Sequence, residues 1–329
     1  MKAIMIQQDE RRSLLWTDVD EPALRSNEVR IKVAYAALNR ADLMQREGDY
    51  PPPPDCPEWM GLEVSGKIVA FGEDAAGNSP YRVGDRVCAL LGGGGYAEYV
   101  ACPTEMLMPI PKGVSMQEAA ALPEAFGAAY LFLFYEARLR AGDTVLMQAG
   151  ASGLASVVIP MARAFGARVL TTVLNEKVAE SIVHLKADRV IDTSREDLAE
   201  VMDQELNAGH GVDICIDCLG GENVGRYIQH MNRLGRWIMI ATLAGNMTKV
   251  DLCALYVRGT RLIGTTLRSR TPAQKKEILS EMVQKIWPKV ENGEIRPTIW
   301  RTYPITEAEE AQCMMAEGRS VGKIVLTVK

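Results

Sequence analysis

The chain lacks an apolar run long enough to cross a membrane. Its most apolar long stretch, Ala119 to Phe134, carries Glu124 and is shorter than the ~20 residues that a spanning helix needs. The first residues also lack the basic segment and apolar core of a secretory signal peptide. These absences predict a soluble, cytoplasmic protein that does not associate with membranes.

An excess of basic residues is also missing. Lysine and arginine number 37 against 42 aspartate and glutamate, which gives a formal net charge of −5. This balance argues against a nucleic-acid-binding surface.

At ~100–200 residues per domain, the 329 residues suggest two domains, each able to bury a core.

The cysteines do not form a recognisable framework. There are seven, an odd number, and they are scattered, which does not suit the disulfides of a secreted protein. Cys215 and Cys218 have the spacing of a redox pair, but they belong to a predicted strand, Val212 to Asp217. Side chains three positions apart on a strand point to opposite faces. We therefore interpret both as buried small side chains rather than as a redox or metal pair.

The most informative segment that is present runs from Thr144 to Gly166. An apolar run, Thr144 to Ala149, leads into a turn of small residues, Gly150 to Ala155, and then into a segment of helical length. Glycines let the backbone approach phosphates, and a helix amino end offers free N–H groups and a positive dipole end. The pattern predicts a pyrophosphate-binding turn, although it is not the strict dinucleotide fingerprint and an ordinary tight turn is the alternative.

From Gly142 onward, short apolar runs alternate with helical segments, of which Glu176 to Ala187 is the clearest. This order predicts a parallel sheet with right-handed crossovers, buried on both faces. The predicted strands are Thr144–Ala149, Arg168–Val173, Arg189–Ile191, Val212–Asp217, Arg236–Ala241 and Arg261–Thr265.

The first ~120 residues instead show short strands separated by turns, which is typical of a β-rich domain. A further strand is predicted near the C-terminus, after a helix around Thr306 to Ala316. These strands are Val29–Ala36, Val64–Phe71, Arg86–Leu91, Ala97–Ala101 and Lys323–Val328. The fold class is therefore α/β: a Rossmann-like doubly wound unit at 123–267, inserted into a β-rich domain built from 1–122 and 268–329.

Seven short motifs carry a family likeness that extends over essentially the whole chain. They are Leu38–Arg46, Gly48–Pro54, Gly61–Gly66, Ala149–Gly153, Asp217–Gly221, Thr266–Arg270 and Gly322–Val325. Together they resemble the zinc-free quinone oxidoreductase, or zeta-crystallin-like, branch of the medium-chain dehydrogenase/reductase superfamily. The resemblance implies a GroES-like β-rich catalytic domain, a Rossmann-like dinucleotide-binding domain and a homodimer.

The resemblance also predicts that no metal is bound. In the alcohol-dehydrogenase branch, a cysteine occupies the place of Asn39 and a histidine that of Leu62, beside Glu63. Only Glu63 remains here, whereas catalytic zinc needs three protein ligands. The histidines, His184, His210 and His230, all lie in the other predicted domain. We expect Glu63 to be structural and to pair with Arg40 or Arg46.

Without a metal, the chemistry implied is hydride transfer from NADPH to a quinone, whose product oxyanion needs only hydrogen-bond donors. The resemblance implies that Asn39 holds the nicotinamide side of the cofactor and that Tyr50 offers its phenol to the substrate. The structural alternatives are that Asn39 caps a helix beginning near Arg40 and that Tyr50 packs in a proline-rich loop. Two other functions stay open: reduction of enone or alkenal double bonds, and NADPH binding with little turnover.

Cofactor choice depends on the end of the second Rossmann strand. Lys177 matches the family lysine that meets the 2′-phosphate of NADPH, with a solvated helix lysine as the alternative. Leu174 and Thr193 replace the family serine and tyrosine, and Glu176 is the acid that would favour NADH. NADPH is therefore expected, and NADH is not excluded.

The remaining cofactor contacts implied by the resemblance lie at the turn and at the ends of neighbouring strands. They are Gly150, Ser152, Gly153, Leu154, Cys218, Gly220, Ala241, Thr242, Leu267 and Lys323. For Lys323, an exposed surface lysine is the alternative. Ala128 stands where the family has a threonine near the nicotinamide, which would enlarge the pocket or weaken cofactor positioning.

Overall fold

A computed structural model describes residues Met1 to Val328. The strands are β1 Lys2–Ile6, β2 Leu14–Asp18, β3 Glu28–Ala37, β4 Glu63–Phe71, β5 Arg86–Leu90, β6 Tyr99–Pro103, β7 Leu107–Pro109, β8 Thr144–Met147, β9 Arg168–Val173, β10 Arg189–Asp192, β11 Ile214–Asp217, β12 Arg236–Met239, β13 Arg261–Gly264, β14 Ile299–Pro304 and β15 Lys323–Thr327. The helices are α1 Arg40–Glu47, α2 Glu73–Asn78, α3 Met116–Ala119, α4 Pro123–Tyr130, α5 Ala155–Ala164, α6 Glu176–Ser181, α7 Leu198–Asn207, α8 Glu222–Tyr227, α9 Leu252–Arg258, α10 Pro272–Glu291 and α11 Ala308–Ala316.

Two units make up the described chain. The first comprises Met1–Gly127, Thr271–Asn292 and the residues from Pro297 onward, and the second comprises Ala128–Arg270 and Gly293–Arg296. The domain boundaries drawn from the sequence, 1–122 with 268–329 and 123–267, stay a prediction.

The second unit contains a six-stranded sheet in the order β10-β9-β8-β11-β12-β13. Every neighbouring pair is parallel. Numbered from β8, this order is 3-2-1-4-5-6, the doubly wound arrangement of dinucleotide-binding folds. The Rossmann-like prediction is therefore confirmed.

The central strands of this sheet are buried along their whole length, as their unbroken apolar sequences predict. Every residue of β8 and β11 is buried. Leu146, Leu170, Ile191 and Trp237 belong to one core cluster. At the edge, β13 departs from this rule because Arg261, Leu262 and Gly264 are exposed.

The first unit contains a seven-stranded sheet in the order β14-β15-β3-β4-β5-β7, with β6 also paired to β3. Near the C-terminus, β15 pairs antiparallel with β3, which places Leu326 opposite Ala36. This pairing joins segments about 290 residues apart, so the sheet of the first unit draws on both ends of the chain. Its core includes Ile31, Val64 and Ile324.

Two helices differ from the sequence predictions. The predicted helix over Glu176 to Ala187 ends earlier, because α6 stops at Ser181 and a short 3₁₀ turn leads to Lys186 at φ 58°. The helix α10, twenty residues long, was not predicted. The apolar stretch from Ala119 to Phe134 contains the last residue of α3, all of α4 and the first part of a π-helical segment, Leu131–Glu136. Within Met1–Val328, no helix combines the length and apolar character of a membrane span.

Candidate active-site regions

Asn39 lies where β3 gives way to α1, and its backbone starts that helix. The N–H of Asn39 donates to Asp42 Oδ2 at 2.7 Å, and the N–H of Asp42 donates to the carbonyl oxygen of Asn39 at 2.9 Å. The side chain points elsewhere: Nδ2 donates to Glu63 Oε1 at 3.0 Å, and Oδ1 accepts from Lys323 Nζ at 2.7 Å. The backbone of Asn39 therefore caps α1, as the structural alternative proposed, while its side-chain amide belongs to a polar cluster.

Glu63 and Lys323 form a buried ion pair beside this amide. Glu63 opens β4 and Lys323 opens β15, and their side chains are 0% and 4% exposed. The distance from Nζ to Oε1 is 2.7 Å. Lys323 also donates to the carbonyl oxygen of Leu38 at 2.6 Å, and Glu63 Oε2 accepts the N–H of Glu124 at 2.9 Å. We call Asn39, Glu63 and Lys323 the Asn39 cluster.

This arrangement corrects two expectations. Glu63 pairs with neither Arg40 nor Arg46, because Arg40 donates to the carbonyl oxygen of Met315 and Arg46 forms an ion pair with Glu309. The partner is Lys323, which is not an exposed lysine. The sequence could not reveal this pair, since its members lie 260 positions apart and meet only when β15 adds to β3.

Two further carboxyl groups surround the cluster, and burial changes both. Burial raises the pKa of Asp42 to about 6, although hydrogen bonds from the N–H of Asn39 and from Tyr96 oppose the rise. Burial, followed by the charge of Glu63, raises the pKa of Glu124 to about 7. These carboxyl groups therefore exchange protons close to neutral pH.

Tyr50 lies at the other end of α1 from Asn39. The helix closes at Gly48, whose φ of 92° suits glycine alone among the common residues. Tyr50 follows two positions later in the proline-rich loop and is half-buried. The two residues predicted to act on nicotinamide and substrate are thus presented by the two ends of one short helix.

The predicted phosphate-binding turn connects β8 to α5. A Cβ on Gly150 would come within 2.5 Å of Thr171 Oγ1, so the backbone here packs as only glycine allows. Ser152 Oγ accepts the N–H of Ala155 at 3.1 Å, at the start of the ten-residue α5. Ala155 is completely buried, which shows that the helix packs on the sheet without a third glycine. The helix amino end and its dipole suit an anion here.

At the ends of β9 and β10, the charged side chains are arranged in a way the sequence did not predict. Glu176 Oε2 accepts from Arg195 Nη2 at 2.7 Å, so the acid expected to favour NADH is paired with a cation. Lys177 is exposed, and no ion pair to it forms within the described residues. Leu174 is 77% exposed. Arg195 was missed, although a basic residue three positions after a strand end was visible in the sequence.

Backbone geometry shapes the ends of β11 and β12. Gly220 and Gly221 have φ of 64° and 59°, and a Cβ on Gly221 would lie 2.8 Å from the carbonyl oxygen of Ala244. Asp217 accepts the N–H groups of Leu219 and Gly220 at 2.7 and 3.1 Å. Its pKa is raised by burial against the opposing effect of these bonds. Asp217 thus holds the glycine loop in place.

The parallel sheet brings most of the predicted cofactor residues to one edge. Carboxyl ends of parallel strands share an edge, where ligands of open α/β sheets bind. Cys218 is buried, Thr242 is exposed, and Leu267 beyond β13 is 3% exposed. Cys215 lies in the core, and neither Cys215 nor Cys218 forms a disulfide.

Two family models match the chain. The alcohol dehydrogenase GroES-like domain matches residues 25–112, and the zinc-binding dehydrogenase model matches residues 185–326. The first match confirms the GroES-like character predicted for the β-rich unit.

Relatives are similar along the whole chain. A quinone oxidoreductase-like protein 2 homolog of Nematostella vectensis is 31% identical over 93% of this chain and 83% of its own length. The quinone oxidoreductase of Mus musculus is 27% identical over 95% and 92%. A mycobacterial protein solved in complex with NADPH has 25% sequence identity, with a TM-score of 0.87 over 100% of both chains.

The second family model raises the question of zinc. Zinc sites use Cys, His or carboxylate ligands, usually three or four of them. In the Asn39 cluster only Glu63 is such a ligand, and it is already paired with an ammonium group whose positive charge would repel Zn²⁺. Within Met1–Val328, no group of three or more His, Cys, Asp or Glu residues is placed to hold a metal ion. These residues do not fit zinc.

The nicotinamide cofactor is a better match to the residues present. The glycine turn, the amino end of α5 and the strand-end loops suit a dinucleotide, and the relatives match this chain over most or all of its length. The chain therefore belongs to the quinone oxidoreductase branch of the medium-chain dehydrogenase/reductase superfamily, and it is an oxidoreductase.

Proposed function

We propose that the protein is an NADPH-dependent quinone reductase that works without a metal. The observation that carries this proposal is the Asn39 cluster, in which an ammonium ion is paired with Glu63. A centre without a Lewis acid suits an acceptor that is already electrophilic. A quinone is such an acceptor, because its reduced oxygens need only hydrogen-bond donors.

The charges at the ends of β9 and β10 support NADPH as the cofactor. Arg195 is paired with Glu176, so the acid that would bind the ribose diol of NADH has a cation beside it. Lys177 remains as an exposed cation for a 2′-phosphate. A relative that binds NADPH with the same fold agrees with this assignment. NADH is the competing cofactor.

The predicted site residues would have separate roles in binding the cofactor and the substrate. Ser152, Gly153 and Leu154 would hold the pyrophosphate, and Asn39 would hold the nicotinamide. NADPH, when bound, supplies the hydride. Tyr50 would donate its phenolic proton in a hydrogen bond to the substrate oxygen as negative charge develops there. The loop residues Cys218, Gly220, Ala241, Thr242 and Leu267 would line the cofactor.

The proposal is tested by following NADPH absorbance in chelator-treated protein, first with an ortho-quinone and then with an acyclic enone. Oxidation of NADPH by the quinone in preference to the enone is the expected result. Preference for the enone would instead assign a double-bond reductase. Tight binding of NADPH without oxidation of either acceptor would assign a binding protein with little turnover. This alternative is considered because Ala128 and Leu174 replace residues that the family has near the cofactor.

We further propose that the protein works as a homodimer in the cytoplasm. The edge strand β13 exposes Leu262 by 43%, and α9, which precedes it, exposes Leu252 and Tyr256 by 71% and 74%. An exposed apolar edge strand is a surface on which a second strand can pair. A second copy of this chain would cover it.

A further inference from the structure

We infer that Lys323 is a positioning residue that fixes the amide of Asn39 in one orientation, so that Asn39 meets the nicotinamide carboxamide as a hydrogen-bond acceptor. This inference deepens the proposed function and depends on its assignment of Asn39 to the nicotinamide. It assigns to Lys323 a role through Asn39 rather than a contact with the cofactor.

The hydrogen-bond capacity of Lys323 is the first step. An ammonium group has three protons to donate. Two protein oxygens accept hydrogen bonds from Nζ, the carbonyl oxygen of Leu38 at 2.6 Å and Asn39 Oδ1 at 2.7 Å. Glu63 Oε1 forms an ion pair with the same nitrogen at 2.7 Å. Because three oxygens surround Nζ and the Lys323 side chain is only 4% exposed, Lys323 acts on a bound cofactor through these neighbours rather than by direct contact.

The orientation of the Asn39 amide follows from its two charged neighbours. With Oδ1 toward the ammonium and Nδ2 toward the carboxylate, both contacts are attractive. A flipped amide would place its NH₂ against Lys323 and its oxygen against Glu63, and both contacts would then be repulsive. Because both charged groups are buried, water cannot screen this difference.

The hydrogen-bond donors and acceptors that remain on the Asn39 amide determine how it can bind a ligand. One Nδ2 proton is donated to Glu63, and the other has a long contact of 3.4 Å to the carbonyl oxygen of Ala37. Oδ1 keeps a second lone pair. The nicotinamide carboxamide carries an NH₂ donor that matches this lone pair. A product oxyanion needs a donor, which leaves that task to Tyr50.

The experiment compares NADPH with its 3-acetylpyridine analogue, in which a methyl ketone replaces the carboxamide and no N–H can be donated. We expect wild-type protein to bind the analogue about tenfold more weakly, the value of roughly one hydrogen bond. Dissociation constants are measured by fluorescence titration, so turnover is not needed. Asn39→Ala should abolish the discrimination.

The variant that tests Lys323 is K323M/E63Q, which removes both charges together and leaves no unpaired buried ion. It should lose the discrimination, and adding Asn39→Ala should change nothing further. Tyr96→Phe is the matched control, because it removes a buried hydrogen bond to Asp42 in the same unit and leaves the Asn39 amide untouched. It should keep full discrimination. If K323M/E63Q does not fold, K323E/E63K keeps an ion pair but reverses the charges around the Asn39 amide. This variant should also lose the discrimination between NADPH and the analogue.

Each outcome has one meaning. A folded K323M/E63Q that still discriminates about tenfold overturns the role of Lys323. Wild-type protein that binds NADPH and the analogue equally overturns the acceptor role of Asn39. Wild-type protein that binds neither overturns the proposed function itself, which keeps the two failures distinct.

Discussion

At the scale of single residues, the candidate site is dominated by one buried ion pair. Glu63 is completely buried, and its partner Lys323 is nearly so. Burying an ion pair is costly unless the remaining hydrogen-bonding groups are also satisfied. Here the N–H of Glu124, the carbonyl oxygen of Leu38 and the Asn39 amide complete the set. The cluster is stable as a unit and intolerant of losing one charge.

Glu124 provides a prediction about pH. Its pKa rises from 4.5 to about 7 in the folded protein, so the folded state binds its proton more tightly than the unfolded chain. This stabilising contribution is fully present below pH 4.5 and is lost as the pH rises through 7. The loss amounts to about 1–3 kcal/mol, given ~1.4 kcal/mol per pKa unit and partial exposure of the side chain.

Glu124→Gln should therefore reduce the fall in unfolding free energy between pH 5 and pH 8, as measured by urea titration at both values. Glu310→Gln, at an exposed position of α11, is the control and should leave the fall unchanged. An identical fall in the wild-type protein and the Glu124 variant would contradict the prediction.

Lys177 provides a prediction about cofactor choice. If its ammonium meets the 2′-phosphate, Lys177→Ala loses a charge-assisted hydrogen bond of about 1.5–3 kcal/mol, so NADPH should bind more than tenfold more weakly. NADH has no such phosphate, and its binding should barely change. Binding of both cofactors is measured by fluorescence titration, with Lys249→Ala as an exposed lysine control in the same unit. Equal losses for NADPH and NADH would remove Lys177 from the phosphate site.

At the scale of elements, the sequence predicted the Rossmann strands well because burial on both faces leaves an unbroken apolar signal. β9 has the predicted bounds, and the five other strands differ by one or two residues. The small strands β1, β2, β7 and β14 gave weak signals because they are short or partly exposed. The helix α10 was missed although Thr271 caps it and Pro272 opens it, a start signal that the sequence displays.

The turn between β8 and α5 provides a prediction at this scale. Gly150→Ala would place a Cβ 2.5 Å from Thr171 Oγ1, which is itself bonded to the carbonyl oxygen of Met147. The turn must shift, so we expect a loss of about 1–3 kcal/mol in unfolding free energy and weaker binding of NADPH and NADH alike. Gly77→Ala, in α2 with open space around it, should reduce neither the unfolding free energy nor the affinity for either cofactor. A stable variant with unchanged affinities would show that the turn tolerates a side chain.

At the scale of the whole molecule, the candidate site was harder to predict than the fold. Residue types and motifs pointed to Asn39, Lys177 and the glycine turn. The pairing of Glu63 with Lys323 depends on a strand from the end of the chain, and the pairing of Glu176 with Arg195 depends on two loops. Such contacts follow from tertiary structure, which local sequence patterns do not encode.

The exposed edge of the second unit provides a prediction about assembly. Light scattering after size exclusion should give twice the chain mass, and Leu262→Lys on β13 should shift the protein toward a monomer, because a charge on an edge strand opposes pairing. Val83→Lys, at a 64% exposed position of the first unit, should leave the mass unchanged. A wild-type monomer, or a Leu262 variant that stays dimeric, would contradict this assembly.

The central claim is direct hydride transfer to a quinone without a metal. The measurement that tests it most directly is single-turnover oxidation of NADPH deuterated at C4, with an ortho-quinone as acceptor and with metal content assayed in the same sample. We expect a primary isotope effect from one C4 face, with a rate that neither a chelator nor added zinc alters. A rate that disappears with the chelator and returns with zinc would contradict it.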